Sequence, residues 1–103
     1  MRSAKDCQDM TELRAEIDRL DTALVSLFAE RATYITRAAE LKSENGWPAR
    51  IESRVEEVVR NVRAKSEATG MDADLAERLW RELMEWAIAH EEDLLGAGQK
   101  TKD

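Results

Sequence analysis

The stretch from Leu13 to Lys42, LRAEIDRLDTALVSLFAERATYITRAAELK, decides the fold. Leu13, Ile17, Leu20, Leu24, Leu27, Phe28, Ile35, Ala38 and Leu41 form a stripe built on steps of three and four, the spacing of one helix face rather than the alternation of a strand. Arg31 and Lys42 fall on or beside that stripe. A buried guanidinium or ammonium is costly unless an anion meets it, so these two cations either interrupt the stripe by accident or receive negative charge.

Outward from this stretch, Asp9 and Glu12 are spaced as a capping box, and the first helix is expected from about Asp9 or Thr11 to about Ser43. Glu44-Asn45-Gly46-Trp47-Pro48 breaks it: Asn-Gly supports positive φ, and Pro48 can open the next helix. A second helix is expected over about Arg50 to Ala68, with Ile51, Val55, Val58 and Val62 on its inward face. Thr69-Gly70 ends it, Asp72 caps a third helix, and that helix runs to about Leu95. Its apolar positions are Leu75, Leu79, Trp80, Leu83, Met84, Ala87, Ile88, Leu94 and Leu95. Residues 1–8 and 96–103 read as flexible ends around one domain, 9–95. The class is all-α.

A first helix of about 33 residues is roughly 50 Å long, whereas the second and third reach only about 29 and 36 Å. They cannot cover its whole stripe. An intertwined homodimer, in which a second copy covers the remainder, is the expected architecture.

Composition limits the chemistry. The 103 residues carry 16 Lys plus Arg against 22 Asp plus Glu, a net charge of −6 that argues against nucleic-acid or anionic-membrane partners. One cysteine, Cys7, and one histidine, His90, give poor support to a disulfide, a metal cluster or a serine-type triad. No metal or cofactor is expected. Without a long apolar run or a secretory signal, the default location is reducing and cytoplasmic.

Arg31 and Lys42 are eleven residues apart, so they leave the helix about 20° from each other with roots roughly 16 Å apart along the axis. They share a face. Arg14 lies about 100° round and roughly 25 Å from Arg31, so within one chain it cannot serve the same small site, though in an antiparallel dimer it can enter the partner's. Arg54, between Ile51 and Val58, is placed inward on the second helix, with Arg50 one turn earlier; Glu91 follows Ala87 and Ile88 on the apolar face of the third. The alternative is that these groups snorkel to solvent or set the register of a bundle. His90, beside Glu91-Glu92-Asp93, reads as a surface residue, and Trp80 and Trp86 read as packing anchors.

Taken together, these residues resemble the small all-helical chorismate mutases from about Asp9 to Leu95. The resemblance is carried by Leu13-Arg14-Ala15-Glu16-Ile17-Asp18-Arg19-Leu20-Asp21, then Ala29-Glu30-Arg31, Leu41-Lys42, and Pro48-Ala49-Arg50 through Arg54, in order. It implies a three-helix protomer whose long first helices cross in a dimer with two active sites. It further implies that Arg31, Lys42 and Arg54 line the site of their own protomer and that Arg14 comes from the other. The arginines would hold the two carboxylates of the dianionic substrate, chorismate. Lys42 would donate to the ether oxygen of the breaking bond, and Glu91 stands where the family usually has Gln as a second donor. Ala38, Val58, Met84 and Ile88 match the apolar wall around the ring. Ile51 replaces an acidic residue, Val55 a glutamate expected to touch the ring hydroxyl, and Ala87 a serine. The related isochorismate pyruvate lyases share the scaffold, an apolar residue after the second-helix arginine, and an opening like Asp6-Cys7.

The function implied is the pericyclic conversion of chorismate to prephenate for Phe and Tyr biosynthesis, without a cofactor. The alternatives are release of pyruvate from isochorismate to leave salicylate, and a non-catalytic helical dimerisation module. An ionised carboxylate has no proton to donate, so a donor role for Glu91 predicts activity falling as pH rises through its titration, and Glu91→Gln flattening the profile.

Overall fold

The computed structural model describes residues 2–100 by backbone and 2–96 by side chain. It is all-α: a short 3-10 helix at Ala4–Asp6 precedes α1 (Met10–Asn45), α2 (Glu52–Thr69) and α3 (Ala73–Lys100). Of the expected flexible ends, Met1 and residues 101–103 lie outside the described residues. The backbone of α3 continues past Leu95, where its end was expected, because Gly96 by itself is tolerated inside a helix. α2 starts two residues later than the pattern suggested: Ile51 is its extended N-cap at φ −124°, and Pro48 belongs to the connection. Among the described residues no helix is long and apolar enough to cross a membrane.

The chain divides into two compact units, Met1–Tyr34 and Ile35–Asp103. In the first, Asp9 caps α1 as expected, its Oδ1 accepting from the Glu12 N–H at 2.8 Å. The return bond of the capping box is displaced by one residue, since Glu12 Oε1 accepts from Gln8 N–H at 2.9 Å rather than from Asp9. Arg2 ties the chain before α1 to its first turns, with its guanidinium 3.1 Å from Glu12 Oε2 and its N–H donating to Glu16 Oε1 at 3.2 Å. That N–H, followed by Arg19, holds the Glu16 carboxyl below the usual carboxylate range. No described residue of this unit is buried.

The second unit holds the core. α1 closes at Gly46, whose φ of 71° favours glycine, and the next N–H, of Trp47, donates to Lys42 O at 2.9 Å. Gly70, at φ 81°, closes α2 in the same manner: its N–H and that of Met71 both reach Ser66 O. Asp72 then caps α3, accepting from Leu75 N–H at 2.9 Å. Ala49, Val55, Val59, Met84 and Ile88 form one buried cluster, with Val58, Trp80 and Leu95 packed against it.

The buried row of α2 is Val55, Val59, Val62 and Ser66, at steps of four, three and four. This differs from the expected Ile51, Val55, Val58, Val62 face by a rotation that brings Val59 inward and moves Val58 to the edge. Ser66 is accommodated there because its Oγ donates to Val62 O at 2.8 Å. On α3 the apolar stripe is wider than its buried part. Ala76, Met84, Ala87, Ile88 and Glu91 are buried, whereas Leu75, Leu79 and Leu94, expected inside, are exposed.

Candidate functional site

Lys42 sits in the last turn of α1, one turn before the Gly46 reversal. The reversal brings the following connection back past its side chain: Lys42 Nζ donates to Ala49 O at 2.6 Å, and Ala49 itself belongs to the buried cluster. From α3 comes Glu91, whose side chain is only 5% exposed against 17% for Lys42. Its Oε1 lies 2.8 Å from Lys42 Nζ. The contact has ion-pair distance without the alignment of a directed hydrogen bond, and Glu91 Oε1 has no other partner among the described residues. Two opposite charges thus meet beside an apolar cluster, where removing either one strands the other at a cost of about 3–5 kcal/mol. Both groups were expected to face inward, and both do.

Of the apolar positions that the resemblance assigns to the site, Met84, Ile88, Val55 and Ala87 are buried, and Ala38, Val58 and Ile51 are half-buried. Val55, Met84 and Ile88 belong to one cluster with Val58 packed on it. These four side chains offer no hydrogen bond, and neither do those of Ile51 and Ala87.

The arginines are placed differently. Arg50, just after Ala49, crosses to α3, where its Nη2 donates to Glu85 Oε1 at 2.6 Å, and its Nη1 reaches Glu52 Oε1 at 3.4 Å. The Arg50 guanidinium holds the Glu85 carboxyl below the usual carboxylate range, and Glu85 in turn raises Arg50. Arg54, expected inward, is 64% exposed and pairs with Glu57 at 2.7 Å. The rotation of α2 accounts for this correction, because Arg54 lies about 110° from the centre of the row that faces the core. Arg14 is exposed and Arg31 half-buried, both within the Met1–Tyr34 unit.

His90 departs from its sequence reading. It is half-buried rather than on the surface, with Nε2 3.2 Å from Thr36 Oγ1 and its ring stacked on Trp86 at 4.9 Å and 12°. Its place one residue before Glu91 on a wide apolar face was the available signal. Glu85 and Ala49 were missed for different reasons: Glu85 looks like any solvated charge, and Ala49 acts through its carbonyl.

A sequence model of the family described as chorismate mutase type II matches residues 13–92, from the start of the apolar stripe to just past Glu91. The T-protein of Enterobacter agglomerans is 33% identical over 85 residues, covering 82% of this chain and 23% of the T-protein. The isochorismate pyruvate lyase of Pseudomonas aeruginosa is 30% identical over 92 residues, covering 88% of this chain and 89% of the lyase. The T-protein of Haemophilus influenzae, at 33% identity, is covered over 22% of its length, so the chain spans less than a quarter of the T-proteins it matches. With its three helices, its inward Lys42–Glu91 pair and a match running through both residues, the chain belongs to the type II chorismate mutase family.

Proposed function

We propose that the chain is a chorismate mutase, converting chorismate to prephenate by electrostatic preorganisation. One observation carries the reading: Lys42 is a single oriented ammonium, held by Ala49 O and set against Glu91, beside an apolar wall. The reaction breaks one C–O bond and forms one C–C bond within a single molecule, with no net gain or loss of a proton. Negative charge develops on the departing ether oxygen. A donor already aimed at that oxygen favours the transition state over the ground state. Lys42 is that donor in this reading, and Glu91 assists when it carries its proton.

The two carboxylates of the substrate need cations, and the resemblance assigns Arg31, Arg54 and Arg14 of the partner subunit to them. The Arg54–Glu57 pair is exposed and cheap to exchange for a substrate carboxylate. The homodimer is part of the same proposal. Its support is the uncovered apolar stripe of α1, including Ile17, Leu20, Leu24 and Leu27, which a second copy would bury.

The lyase reading has its own support. The match to the Pseudomonas aeruginosa lyase runs nearly end to end, and Ile51, Val55 and Ala87 leave the wall without a polar partner for a ring hydroxyl. On isochorismate, a ring hydrogen would move to the enolpyruvyl carbon as the ether bond breaks, releasing pyruvate and leaving salicylate. Both substrates are dianions of nearly the same shape. An absorbance assay of chorismate and isochorismate consumption, with prephenate, salicylate and pyruvate quantified in the same tubes, separates the readings. Prephenate from chorismate is the expected product; pyruvate and salicylate from isochorismate alone would replace the mutase by the lyase. Turnover of neither, together with no rise in Tm on adding a bicyclic dianionic transition-state mimic, would leave a dimerisation module.

A further inference from the structure

Three contacts close a ring through the second unit. Lys42 Nζ donates to Ala49 O at 2.6 Å; the next residue, Arg50, donates to Glu85 Oε1 at 2.6 Å; and α3 carries Glu85 onward to Glu91, whose Oε1 returns to within 2.8 Å of Lys42 Nζ. Of these elements only the connection between Gly46 and Ile51 lies outside helical structure, and it supplies the acceptor that aims Lys42. Its N-terminal end is fixed by Trp47 N–H on Lys42 O, and its C-terminal end by Arg54 and Val55 N–H on Ile51 O. Between those ends the side chain that bonds it to α3 is Arg50.

We propose that Glu85 is a positioning residue, which straps the α1–α2 connection to α3 through Arg50 and so holds the Ala49 carbonyl where it orients the Lys42 ammonium. Arg50 then acts on the site through Glu85 and not by gripping substrate. Three details fit. A guanidinium engaged by Glu85 and Glu52 already has its charge answered. The shorter of its two contacts is the one across to α3 rather than the local one at 3.4 Å. Glu85 directly follows Met84 and precedes Ile88 by three residues, so it projects from the stretch of α3 that anchors the buried cluster. A strap fixed to that stretch transmits the rigidity of the core to a backbone carbonyl.

The kinetic part of this inference rests on Lys42 being the donor of the proposed reaction; the strap does not. Amide hydrogen exchange in residues 46–51 is therefore measured on the full chain without substrate, for wild type and Glu85→Gln, at low and high NaCl. The exposed pair predicts about two- to fivefold faster exchange in the variant. It also predicts that salt speeds exchange in wild type and much less in Glu85→Gln. Kinetics on whichever substrate is turned over should show kcat reduced about two- to fivefold in Glu85→Gln with KM nearly unchanged, since the donor is loosened and the substrate contacts remain. Unchanged exchange in Glu85→Gln overturns the strap. So does a rise in KM for Arg50→Ala while Glu85→Gln keeps wild-type kinetics, the mark of a direct substrate contact. Faster exchange in a chain that turns over neither substrate would uphold the strap and refute the proposed function, so the two failures are distinguishable.

Discussion

The two units of the chain use similar helical sequence to opposite ends. In Met1–Tyr34 a long apolar stripe buries nothing: Leu20 and Leu24 are about half exposed, at 51% and 48%, and capping and ion pairs on the polar side do the ordering. In Ile35–Asp103 the helical pattern encloses Ala49, Val55, Val59, Met84 and Ile88 and draws a lysine and a glutamate in beside them. The contrast teaches that periodicity declares which face wants cover and not what covers it. In the second unit α2 and α3 pack on each other, and a core and a charged pair form there. In the first unit, taken by itself, the stripe stays exposed.

The largest expected effect strikes the second unit at its charged pair. Lys42→Ala should cost about 3 kcal/mol or more in barrier, a loss of roughly 10²-fold in kcat, by analogy with removal of an oxyanion donor. It should also destabilise the fold by about 3–5 kcal/mol, because Glu91 is left buried without its counter-ion. Steady-state kinetics and chemical denaturation read the two losses separately. Wild-type turnover of chorismate and isochorismate in Lys42→Ala would remove Lys42 from the site. Recovery of stability, but not of kcat, in Lys42→Ala with Glu91→Gln would confirm that the two costs have different origins.

The next test sets one unit against the other directly. Met84→Ala empties a buried position and should cost about 2–5 kcal/mol at any protein concentration. Leu24→Ala removes a side chain that the single chain leaves half exposed, so a monomer should lose no more than about 0.5 kcal/mol. In the proposed homodimer the same change should lower Tm in a concentration-dependent way and weaken association in sedimentation runs. A wild-type chain that sediments as a monomer with a neutral Leu24→Ala would break the comparison, leaving the stripe of the first unit uncovered in solution.

What the sequence made legible follows the same division. The three helices, the glycine reversals at Gly46 and Gly70, the Asp9 and Asp72 caps, and the inward Lys42 and Glu91 were all readable, because each depends on local periodicity or on one residue's backbone freedom. The rotation of α2 was not. Val58 and Val59 are equally apolar, and only packing on α3 selects Val59, which also turns Arg54 outward. Ala39 and Ala76, almost fully enclosed at 2% and 1% exposure, carry too little apolar area to be noticed in a pattern. The Arg50–Glu85 bond links residues with no periodic relation, so only tertiary structure brings it to view.

A smaller effect tests the reversal between α2 and α3, which gives the second unit its helix pair. At Gly70 an added Cβ would meet nothing within 4 Å, so Gly70→Ala carries only the strain of φ 81° in an L-residue. The expected cost is about 1 kcal/mol, read as a shift in denaturation midpoint without a change in m. A loss several times larger would mean that the αL turn does more than close the helix.

The smallest effect concerns acid. Glu77 is held below the usual carboxylate range by Arg81 and then Arg63, Glu85 by Arg50, and Glu16 by the Arg2 N–H and then Arg19. A carboxyl depressed in the folded state contributes stability that is full above its unfolded value and disappears as pH falls through the lower folded one. Stability should therefore be flat above the ordinary carboxylate range and decline below it. Glu85 is exposed and Glu16 and Glu77 keep partial access to solvent, so each contribution is small and screened by salt. Two of them, Glu77 and Glu85, lie in the second unit, whereas Glu16 is the one in the first. Glu77→Gln and Glu85→Gln together should flatten the acid limb more than Glu16→Gln does, as followed by urea midpoints across the acid range. An equal or larger flattening by Glu16→Gln would show that the first unit, with nothing buried in the single chain, nonetheless unfolds as one with the second.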